Sequence, residues 1–225
     1  MNTKKKLIDD GFRAELVETA YFDGIMEIPS IAKPDKIIIP KGMVPYSCID
    51  RSDGKDQFLC FYEHDAKFAD CLASIDDHLG RMKEFSGIVS PDCSLYIDMP
   101  LCLQITNVYL NRAYGYYLQS KGHYVVPNIR WGDERTYTTV ELPEKVAFLG
   151  VAKQSIVSIG TYGQVRRKED KRYFREGLIA MLETLEPEVV LVYGPKTKQV
   201  FAGLEDRTRF VFFPDWITRK KGGAG

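Results

Sequence analysis

Polar and apolar positions follow two rhythms along this chain. Short apolar runs rich in β-branched residues predict strands at 36–40 (Lys-Ile-Ile-Ile-Pro), 58–62, 87–89, 124–126, 146–149, 155–159, 189–192 and 210–213. Between them apolar residues return every third or fourth position. Phe68, Leu72, Ile75, Leu79 and Met82 predict a helix over 65–85 with Asp65 as its N-cap. A long helix over 99–121 has Pro100 in its first turn and Gly122 just past its end. Phe174, Leu178, Met181, Leu182 and Leu185 share one face of a helix over 168–185, and 196–204 predicts a short one. The run at 189–192 is apolar without interruption, as a strand covered on both faces should be. By contrast, 12–31 shows no period and 42–55 is turn-rich around Ser52-Asp53-Gly54, so 1–57 reads as an irregular N-terminal region.

Strands alternating with helices predict the α/β class with a mostly parallel sheet. Two layouts satisfy that pattern: a compact, incomplete (β/α) barrel-like arrangement, slightly preferred, and an open doubly wound sheet. The 225 residues suit a single domain over 1–219, with 220–225 (Lys-Lys-Gly-Gly-Ala-Gly) read as a flexible tail.

Charge narrows the function. Lys plus Arg number 31 and Asp plus Glu number 31, so the chain lacks the one-sided surface that neutralises phosphates, and tight direct binding of duplex DNA is not expected. No apolar run approaches the ~18 residues that span a bilayer, and Met1 to Asp10 carries no apolar signal core. Five widely spaced cysteines fit a reducing compartment, so a cytoplasmic location is expected. Cys48, Cys60, His64 and Cys71 contain no Cys-x-x-Cys pair, so neither a metal nor a cofactor is predicted.

In either layout, sites form where parallel strands end. The residues following the predicted strands are therefore the candidates: Asp92, Ser94 and Asp98; Asn128, Arg130, Trp131 and Asp133; Thr161; Tyr193; and Asp215. Asn128 to Asp133 puts a planar bidentate donor, a stacking face and a carboxylate within six residues. Polar residues here serve equally well as caps of the next helix. On the long helix, Gln104, Asn107 and Asn111 fall on one face, either lining a pocket or facing solvent. Gly160-Thr161-Tyr162-Gly163 before a helix resembles a cradle for a small anionic ligand, without the ending of a P-loop. Arg166, Arg167, Lys168, Lys171, Arg172 and Arg175 form the densest basic cluster, interleaved with Glu169, Asp170 and Glu176. Neither a catalytic triad nor a Gly-x-Ser-x-Gly elbow is present.

The set Ser90-Pro91-Asp92-Cys93-Ser94, Asp98-Met99-Pro100, Asn111-Arg112, Gly122 and Pro127-Asn128-Ile129-Arg130-Trp131-Gly132 resembles a bacterial and phage family, domain of unknown function 4417. The resemblance covers roughly 87–194, and it implies an accessory role in phages or integrating elements while supplying no catalytic residue.

Two classes of function follow. The first is an accessory or regulatory protein that binds another protein, such as a recombinase or other DNA-acting enzyme. The 13 Tyr, 12 Phe and 2 Trp are residue types enriched at interfaces. The alternative is a hydrolase or transferase acting on a nucleotide, sugar or phosphate-bearing ligand at the strand ends.

Overall fold

The computed structural model describes residues 12–222; Met1 to Asp10 and the last three residues of the predicted tail lie outside it. A two-residue antiparallel hairpin, β1 (Phe22–Asp23) with β2 (Ile28–Pro29), precedes two parallel sheets. The first sheet is β3 (Gly42–Pro45), β4 (Gln57–Cys60), β5 (Gly87–Val89) and β6 (Val125–Val126), side by side in chain order. The second is β7 (Ile156–Gly160), β8 (Val189–Tyr193) and β9 (Arg209–Phe213), again in chain order. A parallel bridge between Asn128 and Ser158 joins them, with Ser158 N donating to Pro127 O at 2.9 Å and Ile129 N to Ser158 O at 2.8 Å.

One buried cluster draws on all seven parallel strands: Met43, Phe58, Cys60, Val89, Val126, Ile156, Leu191 and Phe213, with Tyr62 and Tyr193. Their chain neighbours point the other way. Val44, Leu59, Ile88 and Val125 join an outer cluster, and Val157, Ile159, Val190 and Val192 join a second. Period-2 alternation with both faces buried explains the unbroken apolar run of β8. Both edge strands feed the inner cluster, so the sheet curls as a barrel does. Among the described residues no pairing joins β3 to β9, and the barrel does not close.

Helices cover the outside. They are α1 (Ala69–Ala73), α2 (Leu79–Met82), α3 (Leu101–Ser120), α4 (Glu134–Tyr137), α5 (Lys168–Leu185), α6 (Lys198–Phe201) and α7 (Trp216–Gly222). The apolar face expected for α5 is buried as the spacing requires. Helix α7 begins inside the predicted domain and runs into the stretch read as a tail. It lies against β3, and Arg219 Nη1 reaches across that strand to donate to Gln57 Oε1 of β4 at 3.0 Å, so it shields an edge strand that would otherwise be open to pairing. No helix among the described residues is long and apolar enough to cross a membrane.

Three expectations are corrected. Residues 36–40 are not a strand: Pro34 and Pro40 remove ladder donors, Ile38 N bonds to Tyr124 Oη, and Ile37 to Ile39 pack onto the inner cluster. The strand forms instead at Gly42–Pro45, inside the stretch read as turns. Residues 146–149 hold a 3-10 turn (Val146–Phe148). Finally, 65–85 is four short helical pieces, broken at Ser74 (φ −137, ψ 53), whose hydroxyl bonds back to Asp70 O at 3.1 Å. Phe68, Ile75 and Met82 are buried all the same.

Candidate functional site

The strands deliver their last residues to one rim, and the side chains there pair with each other. Asp92, following β5, is buried. Its Oδ1 accepts from Asn128 Nδ2 at 2.7 Å and its Oδ2 from Arg130 Nη1 at 3.0 Å. Burial raises the Asp92 carboxyl above its ordinary range, opposed in part by Arg130 and Asn128. Asn128 is spent on every side. Its amide also donates to Pro91 O, its Oδ1 accepts from Tyr62 Oη at 3.0 Å, and its backbone N–H donates to Ser90 Oγ at 2.8 Å. Tyr62 Oη bonds to Ser158 Oγ as well, and its ring stacks on Tyr193 at 5.5 Å. Tyr193 Oη in turn accepts from Trp216 N at 2.9 Å. The strand ends are thus plugged by side chains hydrogen-bonded to one another.

The amide stripe of α3 neither lines a pocket nor faces solvent; it clamps the loop after β5. Asn111 holds both backbone groups of Cys93, Asn107 Nδ2 donates to Ser94 O at 2.6 Å, and Gln104 Nε2 donates to Met99 O at 2.8 Å. Ser94 is fixed from the other side by Asp65, whose carboxylate accepts from its N–H and hydroxyl; Asp65 therefore ties the loop instead of capping a helix.

Asp133 does cap α4, and its carboxylate also accepts from Gln104 Nε2 at 3.0 Å, Asp98 N at 3.2 Å and Arg135 Nη2 at 2.7 Å. Asp98 is exposed, with φ 62 in the left-handed region, and lies by Asp133, not by Asp92. Burial works against ionisation at Asp133, but the hydrogen bonds from Arg135 and Gln104 outweigh it and bring the carboxyl from 3.8 to about 2. Its folded-state value is depressed, so its stabilisation is full above the unfolded value and vanishes as pH falls through the folded one. Asp133→Asn should cost about 1–2 kcal/mol at neutral pH. In urea titrations the deficit should close between about pH 4 and pH 2; a deficit that stays constant down to pH 2 contradicts the assignment.

The remaining predicted residues separate. Thr161 is buried and bonds to Tyr193 O and Pro195 O. Asp215 receives the Ile217 and Thr218 amides at the start of α7. Trp131 is buried against Phe174, ring centroids 5.0 Å apart, directly over Gly177 of α5. A Cβ at Gly177 would come within 2.3 Å of Trp131 Nε1, so glycine is required there by close approach.

A cleft of about 230 Å³ opens on this rim, apart from a smaller hollow of about 80 Å³ beside Tyr62, Tyr193 and Trp216. Leu95, Tyr96 and Ile97 form one wall, Ile129 to Gly132 the floor, and Gly163, Gln164 and the first turns of α5 the far wall. Arg130 is the charged group of the floor, its side chain nine-tenths buried. Besides Asp92 it bonds to Leu95 O at 3.2 Å, and with the Gln164 amide oriented oxygen-first it bonds to that oxygen at 2.9 Å; its Nε has no partner. Tyr96 and Ile97 stand exposed at the opening. Tyr96, Ile97 and Gln164 carry no signal in the sequence, since a loop position becomes a wall only when its neighbours arrive. Among the described residues no group of three or more His, Cys, Asp and Glu side chains is placed to hold a metal ion.

The family described as "Domain of unknown function (DUF4417)" matches residues 20–213. The "Gene 1 protein" of Mycobacterium phage L5 is 32% identical over 136 residues, 60% of this chain and 56% of that protein. The "Gene 1 protein" of Mycobacterium phage D29 is likewise 32% identical over 136 residues, 60% of this chain and 48% of that protein. The matched part of the chain thus spans about half the length of these curated relatives. No solved structure matches the chain.

Proposed function

The chain belongs to the DUF4417 family, and from that premise we propose that it is an accessory protein of a phage or mobile element that works by binding another protein at the strand-end cleft. The similarity to mycobacteriophage proteins supports the phage setting. In that setting the partner class proposed is an enzyme acting on DNA, a recombinase among them.

The observation that carries this reading is the state of the rim. The polar groups that a hydrolase or transferase would need are bonded to one another: Asp92 to Asn128 and Arg130, and Tyr62 to Asn128 and Ser158. The cleft that is left, about 230 Å³, falls below the ~300–1,000 Å³ typical of small-molecule sites. It has the size of a socket for one side chain, ringed by exposed aromatic and aliphatic residues, as at the centre of a protein interface. With 31 cations against 31 anions, the whole-molecule field gives no general grip on duplex DNA.

The test is affinity capture from phage-infected cells with the wild-type chain and with Tyr96→Asp/Ile97→Asp, after matching their unfolding curves. Both side chains are exposed, so the fold should survive. A specific partner held by the wild type should fall by about tenfold or more in the variant, as removal of a central anchor does. Equal capture by both proteins rules the cleft out.

A further inference from the structure

Resting on that reading, we infer that the partner enters the cleft with one apolar side chain carried in an acidic stretch of chain. Two features of the far wall lead there. Between its lining residues Gln164 and Asp170 the chain carries Arg166, Arg167 and Lys168, whereas Lys171 and Arg175 of α5 line a separate hollow. Arg166, Arg167 and Lys168 are exposed. Arg166, Arg167 and Lys168 stand against Glu169 and Asp170, and Asp170 also accepts from Arg167 N at 2.8 Å through Oδ2. Among the described residues Arg172 is the one cation of this run with an ion pair, to Glu176 at 4.0 Å. The lip therefore carries a positive surplus on a molecule whose formal charge is zero.

The floor is different. Arg130 is already neutralised by Asp92 at 3.0 Å, so an anion pushed to the bottom would meet no free positive charge and would lose its water. Leu95, Ile129, Trp131 and Phe174 offer apolar contact there instead. Anions are thus favoured at the lip and apolar atoms at the bottom. That order suits a peptide with an anchor residue and flanking carboxylates. A phosphodiester chain would satisfy the lip alone. The exposed wall residues Tyr96 and Ile97 complete an apolar collar inside a charged rim.

The experiment uses the full chain and short fluorescent peptides read by anisotropy. One peptide carries a single Phe among Glu, Gly and Ser; in a second the Glu are Lys; in a third the Phe is Ala; and an oligo-dT of equal charge is the fourth probe. The acidic Phe peptide should bind at least about tenfold more tightly than each of the others. It should weaken with salt and lose about tenfold in Arg166→Glu/Arg167→Glu, compared with wild type after matching their unfolding curves because Arg167 caps α5. Equal binding of acidic and basic peptides, tighter binding of oligo-dT, or no binding of the acidic peptide at millimolar concentration each overturns the inference. Capture from infected cells separates the two levels. If capture is lost in Tyr96→Asp/Ile97→Asp and persists in Arg166→Glu/Arg167→Glu, the acidic-partner inference falls and the docking reading stands. If it persists in both, both fall.

Discussion

Arg112→Met will lower the unfolding free energy by about 3 kcal/mol, and the thermal midpoint by roughly 6–12 °C for a chain of this size. Arg112 is a charged residue in the middle of α3, yet it is 1% exposed, and burial is the one influence on its charge among the described residues. Its guanidinium donates to three backbone carbonyls: Nε to Leu149 O at 2.9 Å, Nη1 to Asn128 O at 2.7 Å and Nη2 to Ala147 O at 3.0 Å. Burial pulls the group down to about 10, which leaves it charged at neutral pH and fixed by hydrogen bonds alone. Met keeps the length and the packing but leaves three buried carbonyls unpaired, at ~1–3 kcal/mol each. Relief of the buried charge offsets part of that loss. Arg112→Lys keeps the charge and reaches fewer acceptors, so its midpoint should fall between the two. Urea and thermal unfolding of the three proteins decide it; a Met variant within about 1 kcal/mol of wild type would show the staple to be dispensable.

Asp92→Ala and Arg130→Ala will each cost about 3–5 kcal/mol, and the double variant will cost clearly less than their sum. The pair is buried on both sides, 6% and 10% exposed. Removing Asp92 leaves Arg130 with Leu95 O and Gln164 as its partners; removing Arg130 leaves a carboxylate whose burial already raises it. A double-mutant cycle in urea should give a coupling of about 1–3 kcal/mol. Strict additivity would mean that the two groups do not depend on each other, and the account of the plugged rim would fail. The pH dependence has the opposite sign to that of Asp133. The folded-state value of Asp92 lies above 3.8, so wild type loses stability relative to Asp92→Asn as pH rises through the window just above that value.

Much of this molecule is legible one residue at a time. Uninterrupted β-branched runs made β8 a strand buried on both faces, and the i, i+3, i+4 spacing of Phe174 to Leu185 made α5 a helix with one core face. Both follow from local backbone geometry and from burial that repeats with it. Alternation of such runs with helices also implied parallel neighbours, because parallel strands need crossovers. It further placed Asp92, Asn128 and Arg130 at one end of the sheet, and in the structure they touch. The same local rules fail wherever the decisive partner is distant. Residues 36–40 have the composition of a strand, but a Tyr124 hydroxyl 86 positions away takes the Ile38 amide. Residues 146–149 read as a strand, and Arg112 takes two of their carbonyls. A hydrogen-bonding group is satisfied by whichever complement the packed chain brings within about 3 Å, and sequence distance carries no information about that. For the same reason composition could announce aromatic and basic residues, while only the tertiary structure could set Tyr96, Arg130 and the first turns of α5 around one cleft.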